Sequence, residues 1–388
     1  MKFLKYSLAA LSTAVFLAAC GGGGADTTPA VKVGNVKVMG DSLQDIGTFG
    51  GVKATVQGAD SLLYVERVAQ TYGISGQCNF YVFTGTTFAA NSKAGCVNYA
   101  IGGGVINGKS SNLTAADPRT ISVQLQTAVA AGNHSASDLL IIDGGGNDAA
   151  ALVTAYLGAA SGAAGVANYA ALLSSVLDGA TVNSNLASGP AGFVNAGGLY
   201  MTALADTFHT QIKSLALDKG ATRVAVINVP GITKTPRFQA VLNGIAAANG
   251  GGTAGAAARA QAEAVFDGWV KAFNARLASK FAGNSNVTVV DLYTEFNNQV
   301  ANPAQFGLTN VKDTACPAVG TGGDGLPTYS FPTCTATALS AATPPAGATG
   351  GANWWKTYAF SDGFHPSPYG HQLVAQLISR SLAQAGWL

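Results

Sequence analysis

The chain has 388 residues, 48% hydrophobic and only 10% charged, with 50 glycines and a formal net charge of +2. That length supports a sizeable core in one large domain or two medium ones, while the near-neutral balance and the lack of a basic run exclude nucleic acid as a partner. Much of the apolar fraction is alanine, and no uncharged apolar run reaches the ~20 residues of a spanning helix; the nearest approach is at the N-terminus.

That N-terminal run is organised as a secretory signal. Lys2 and Lys5 supply the positive region, Leu8 to Ala19 the apolar region, and Leu17-Ala18-Ala19-Cys20 a small-residue exit. With cysteine at its end and glycines beyond, the exit resembles a bacterial lipoprotein lipobox. The resemblance implies that residues 1–19 are removed and that the Cys20 thiol is acylated; the plainer reading is an ordinary secretory signal with a chance cysteine. It also implies more than one acyl chain, as stable anchoring requires. Gly21 in place of aspartate resembles outer-membrane sorting, if the source is Gram-negative. The expectation is an exported protein, lipid-anchored to the cell envelope on its periplasmic or surface side. Residues 20–33 then form a flexible tether, and residues 34–388 one domain. The glycine-rich stretch 21–30 spans roughly 15–20 Å on average.

Val36-Lys37-Val38-Met39 alternates as a strand and runs into Gly40-Asp41-Ser42-Leu43. A serine there lies in the loop past a sheet's carboxyl edge, where open α/β sheets bind ligands. Glycine ahead of it permits a tight turn. Helical spacing follows over 61–72, and another helix is predicted over 121–131. Leu139-Leu140-Ile141-Ile142 is a continuous apolar run of the buried parallel kind, ending in Gly144-Gly145-Gly146-Asn147-Asp148. Residues 149–198 are rich in Ala, Gly and Ser and read as partly helical. A helix over 199–217, a strand over 223–229, a long helix over 254–281 and a strand over 287–292 come next. Residues 302–359 read as long and irregular. A final helix runs from about Pro368 to Ala385, with Ser367 as N-cap and Pro368 at its first position. Strands alternating with helices predict a parallel sheet covered on both faces.

Setting Cys20 aside, Cys78, Cys96, Cys316 and Cys334 form two local pairs. Three connectivities exist; Cys78–Cys96 and Cys316–Cys334 are favoured because each closes a local loop in an oxidising compartment. Zinc is disfavoured, since neither pair has CxxC spacing or a nearby histidine.

Asp362-Gly363-Phe364-His365 stands just before the last helix. Asp and His three residues apart in a turn bring a carboxylate to one imidazole nitrogen and leave the other free for a serine. Taken in order, Gly40 to Leu43, Asn98 to Gly104, Gly145 to Asp148 and Asp362-x-x-His365 resemble the four motif blocks of the GDSL esterases and lipases, the SGNH hydrolase superfamily. Asn228-Val229-Pro230 and Asn302 to Asn310 are weaker matches, and the resemblance spans residues 36–385. It implies a flavodoxin-like three-layer α/β/α sandwich and hydrolysis of esters. It assigns Ser42 as nucleophile, His365 as base and Asp362 as its orienting carboxylate. Ser42 and Gly103 would give backbone N–H groups to the oxyanion and Asn147 a side-chain amide; among the glycines at 102–104, Gly102 is the alternative donor. Asp45 and Asp148 read as turn and cap residues and His371 as structural, while His134 and His209 have no evident partner.

Two decoys are rejected. Gly103 to Ser110 fits the P-loop pattern, but Ser111 to Thr120 contains Asp117-Pro118 and no helical period. Gly144-x-Gly146-x-x-Ala149 fits a loose dinucleotide fingerprint, but past Asp148 the next acidic residue is Asp178, about ten positions late for a ribose. The expected chemistry therefore needs neither metal nor cofactor. Substrate candidates are lipid esters, lysophospholipids and acetylated polysaccharides. Trp354, Trp355, Tyr358, Phe360 and Phe364 are candidates for an acyl pocket or for core. A surface binding protein of the same fold that has lost turnover is the alternative from another class.

Overall fold

A computed structural model describes residues 31–388; the expected signal peptide, Cys20 and most of the expected tether lie outside the described residues. The chain opens with β1 (Asn35–Met39), α1 (Tyr64–Thr71), a hairpin of β2 (Tyr81–Phe83) and β3 (Phe88–Ala90), and α2 (Ile121–Ala130). Then come β4 (Asp138–Ile142) and four successive helices, α3 (Gly146–Ala159), α4 (Ala163–Leu173), α5 (Gly179–Ala187) and α6 (Pro190–Leu215). β5 (Val224–Ile227), α7 (Pro236–Ala248), α8 (Gly252–Phe281), β6 (Val287–Val290) and α9 (Leu292–Ala301) follow. The last part holds β7 (Asn310–Thr314), a small hairpin of β8 (Gly320–Thr321) and β9 (Pro327–Thr328), α10 (Ala336–Ala341), β10 (Tyr358–Phe360) and α11 (Pro368–Gln384).

The central sheet is parallel throughout, in the order β1-β4-β5-β6, with Val38 opposite Ile141, Ile142 opposite Val226 and Ile227 opposite Val290. A fifth position is filled by the chain at Val97–Tyr99. The Val38 N–H donates to the Val97 carbonyl at 3.1 Å, and the Tyr99 N–H donates to the Val38 carbonyl at 2.7 Å. Counting that segment, the order is 2-1-3-4-5, the flavodoxin-like arrangement.

Strand alternation sends Met39, Leu140, Ile142 and Val226 to one face, under α2, α3, α6 and α8. Val36, Val38, Leu139, Ile141 and Ala225 go to the other, under α1 and α11. The molecule is thus a three-layer α/β/α sandwich. Parallel strands need crossover connections, and those helices cover both faces, which is why β4 is apolar at four consecutive positions.

Three segments differ from expectation. The first helix starts at Tyr64 because Glu66 Oε2 accepts from the Leu63 N–H at 2.8 Å and fixes the N-terminus there. Residues 149–198 are helical almost throughout. Asp178 caps α5 through the Thr181 N–H, Pro190 opens α6, and at Gly197 an added Cβ would lie 2.3 Å from the Trp269 ring. Small residues there let α6 lie directly against α8, which leaves little hydrophobic period to read.

Residues 302–359, expected to be irregular, form a subsidiary layer. β7 pairs with β10 in parallel, and Val56, Leu339, Trp354, Trp355 and Tyr358 pack around the Cys316–Cys334 disulfide. Cys78–Cys96 is the other disulfide, and both have the local connectivity.

Candidate active site

The site is built on the carboxyl ends of β1 and β4. Asp41 to Asp45 makes one helical turn, with the Gln44 and Asp45 N–H groups both donating to the Asp41 carbonyl at 3.1 Å. This turn lifts Ser42 off the sheet edge. On the far side, Asp362 to His365 forms a tight turn ahead of α11, in which Asp362 Oδ1 accepts from the Phe364 and His365 N–H groups at 2.8 and 2.7 Å.

These two turns meet. Ser42 Oγ lies 2.7 Å from His365 Nε2, and His365 Nδ1 lies 2.9 Å from both oxygens of Asp362. Burial pushes the Asp362 carboxyl up, but the His365 charge and three N–H donors outweigh it and hold the group below its ordinary value. Burial pulls the His365 imidazole down, while Asp362 and then Asp41 outweigh it and leave the ring above the ordinary histidine value. A clamped imidazole facing a hydroxyl at this distance can accept its proton.

Donors for a developing anion lie beside the hydroxyl. Among the described residues, no protein acceptor takes the N–H of Ser42 or of Gly103. The Gly102 N–H, by contrast, is spent on Asp45 Oδ2 at 2.9 Å. Gly104 must be glycine, because a Cβ there would stand 2.5 Å from the Gly40 carbonyl. That close approach draws the 102–104 loop against the nucleophile turn. Asn147 sits in the first turn of α3, where its amide donates to the Gly104 carbonyl at 2.9 Å and to Asp41 Oδ2 at 3.2 Å.

The carboxylates of the motif blocks do more than cap turns. Asp148 is fully buried and accepts from the Ile106 and Asn107 N–H groups and from Ser110 Oγ, each at 3.0 Å. It ties the loop after Gly103 to α3, and burial pushes its pKa up to about 6. Asp45 binds the Gly47, Thr48 and Gly102 N–H groups and the Asn79 amide.

Below Ser42, Asp143 Oδ1 accepts from the Asp41 N–H at 3.2 Å, and its Oδ2 from the Tyr64 hydroxyl at 2.8 Å. Burial lifts Asp41 above its ordinary value and Asp143 well above, and the Asp41 charge lifts Asp143 further. Gln124 brackets Gly40, accepting from its N–H at 2.7 Å and donating to its carbonyl at 3.0 Å. Asp143, Tyr64 and Gln124 were not foreseen; an aspartate closing an otherwise apolar buried strand was the available signal.

His371 is buried against the Tyr64 ring, consistent with a structural residue. His134 has a partner after all, Lys37 Nζ at 3.3 Å, and His209 packs on Phe281.

A cavity of about 310 Å³ opens over Ser42 and His365. Of the five aromatics named in advance, Phe364 alone lines it; Trp354, Trp355, Tyr358 and Phe360 are core. Phe331, hidden in the segment expected to be irregular, lines it as well and stands edge-on to the His365 ring at 5.4 Å.

A hydroxyl, an imidazole and a carboxylate in series at the carboxyl edge of a doubly covered parallel sheet define the class, an α/β hydrolytic enzyme. Residues 36–378 match the family described as GDSL-like Lipase/Acylhydrolase, and the chain belongs to that family and is an ester-hydrolysing enzyme. Among solved structures it is similar to phospholipase A1 from Streptomyces albidoflavus NA297, at 14% identity and a TM-score of 0.38 over 89% of this chain and 98% of that one. It is also similar to an extracellular lipase from Streptomyces rimosus, at 16% identity and a TM-score of 0.36 over the same shares. No curated protein matches.

Proposed function

We propose that the protein is a serine carboxylic-ester hydrolase acting on acyl esters outside the cytoplasm, with Ser42, His365 and Asp362 as its triad. The observation that carries this is the 2.7 Å approach of Ser42 Oγ to an imidazole whose other nitrogen is held at 2.9 Å by Asp362. Ser42 donates its proton to His365 Nε2 as its oxygen attacks the ester carbonyl. The oxyanion takes hydrogen bonds from the Ser42 and Gly103 N–H groups and from Asn147, which gives up its longer contact with Asp41. His365 returns the proton to the departing alcohol, and water then releases the acid by the same route in reverse. Donors preset toward charge that exists only in the transition state are the largest expected term.

The amino-terminal organisation belongs to the same reading: residues 1–19 a lipoprotein signal, 20–33 a tether from acylated Cys20, and 34–388 the hydrolase domain. Two disulfides support an oxidising compartment. The test is turnover of p-nitrophenyl esters by the wild type and by Ser42→Ala; a folded Ser42→Ala protein with undiminished turnover overturns the triad.

A further inference from the structure

Two buried carboxyl groups lie beneath the nucleophile. Asp143, just past β4, lines the cavity under Ser42, and Asp41 stands beside it in the nucleophile turn. The groups facing Asp143 come from three elements. Asp41 and Gln44 belong to the turn after β1, Tyr64 to α1, and His371 of α11 lies behind the Tyr64 ring at 5.8 Å. Burial holds the His371 imidazole well below its ordinary value, so it brings no charge. Among the described residues no lysine or arginine forms an ion pair with Asp41 or Asp143. Neighbouring carboxylates without a cation in a buried site repel one another and lose their hydration, and one of the two keeps a proton.

Which one keeps it follows from the partners. Asp41 receives the Leu43 N–H on Oδ1 at 2.9 Å and the Asn147 amide on Oδ2 at 3.2 Å, and the His365 ring favours its charged form. Asp143 receives the Tyr64 hydroxyl on Oδ2 at 2.8 Å, but on Oδ1 only the long 3.2 Å donation from the Asp41 N–H. That same Oδ1 meets Gln44. A Cβ added to Gly40 would stand 2.0 Å from Asp143 Oδ1 and 2.3 Å from Gln44 Oε1, so the two oxygens crowd one point. Gln44 is fully buried, and neither its Oε1 nor its Nε2 has a partner among the described residues. Two acceptor oxygens that converge with no hydrogen between them are both unsatisfied, and a proton on one joins them.

We infer that Asp143 is held as a neutral carboxylic acid, donating its Oδ1 proton to Gln44 Oε1, and is a positioning residue for the nucleophile turn. Oδ2 is then the carbonyl oxygen that accepts from Tyr64, and Oδ1 the hydroxyl oxygen that takes the weaker Asp41 N–H. The pair carries one negative charge, on Asp41, where it faces His365 and Asn147. Burial and the Asp41 charge act on Asp143 in the same direction. A second charge here would oppose the oxyanion forming above Ser42, whereas a neutral acid fixes the turn without opposing it. The positioning role rests on the reading of Ser42 as nucleophile; the protonation state does not.

The experiment follows urea unfolding of the wild type and Asp143→Asn from about pH 4 to 8. The folded value lies above the unfolded ~3.9, so below about pH 4 both states hold the proton and the difference between the proteins is constant. At higher pH the unfolded wild type releases a proton that the folded protein keeps. Its unfolding constant should then climb, relative to that of the variant, by up to about tenfold per pH unit. A constant difference, or one moving the other way, overturns the inference and leaves an ionised Asp143 held by a Gln44 amide turned end for end. Turnover of p-nitrophenyl butyrate at neutral pH reads the positioning role. Asp143→Ala should lower kcat roughly 10–10²-fold with KM nearly unchanged. Asp143→Asn, which presents the same carbonyl to Tyr64 and an N–H to Gln44, should recover most of that loss. An Asn variant as impaired as the Ala variant overturns the role. If Asp143→Ala fails to fold, Asp143→Asn is set against the wild type, and a loss in kcat beyond about tenfold does the same. The unfolding measurement needs no turnover, so it stands even if the ester-hydrolase reading fails.

Discussion

Asn147 makes two contacts of unequal length, 2.9 Å to the Gly104 carbonyl and 3.2 Å to Asp41 Oδ2, and the difference assigns each a task. The shorter fixes the amide on the loop; in the proposed mechanism the longer is the one a substrate oxyanion replaces. Because that donation gains strength only as charge develops, Asn147→Ala should lower kcat by about 10²–10³-fold, roughly 3–4 kcal/mol, with KM nearly unchanged. A folded variant with near-normal kcat would leave Asn147 a helix-terminus residue only. His365 gives a second prediction at this scale. The base must be neutral to accept a proton, and Asp362 and Asp41 raise its pKa, so activity should climb with pH through a midpoint above the ordinary ~6.5 of histidine. In Asp362→Asn the limb should move downward as kcat falls; an unshifted limb would exclude His365 as the titrating group. The meeting of Ser42, His365 and Asp362 was legible because motif chemistry places each residue type at a fixed offset. The role of Gly40 was misread as turn freedom. A Cβ there would stand 2.0 Å from Asp143 Oδ1 and 2.3 Å from Gln44 Oε1, and that crowding across the fold leaves no mark on local sequence.

At the scale of elements, legibility followed burial. β4 and β5 were readable because strands buried on both faces are apolar in unbroken runs, β1 because its residues alternate, and α11 because Ser367 and Pro368 mark its start. α3 to α5 and the early part of α6 were obscured by Ala, Gly and Ser, which pack helices closely without a strong apolar stripe. The subsidiary layer around Cys316–Cys334 escaped because its core is assembled from distant pieces, Val56 among them. The loop carrying Gly103 is tied to α3 by Asp148. Asp148→Ala strands two N–H groups and a hydroxyl in the interior. It should cost about 1–3 kcal/mol for each group left unpaired and depress kcat through a loosened oxyanion loop. Thermal unfolding beside kcat checks this; a variant with wild-type Tm and kcat would show the anchor to be dispensable.

For the molecule as a whole, alternation of elements gave the doubly covered parallel sheet, and the resemblance of the motif blocks gave the three-layer sandwich. The strand order and the parting of the two core layers came only with the structure. The proposed acylated Cys20 and its tether would hold a complete hydrolase near a membrane without entering the catalytic geometry. Cys20→Ser should therefore release the protein from the membrane fraction with kcat/KM on a soluble ester unchanged. Retention in that fraction would require another anchor. The central claim is that Ser42 is the activated nucleophile, and reaction with a fluorophosphonate followed by peptide mapping tests it most directly. A single adduct on Ser42, absent from Ser42→Ala and slowed in Asn147→Ala, is the predicted result. Labelling that persists undiminished in Ser42→Ala, or an adduct on another serine in the wild type, would contradict the account.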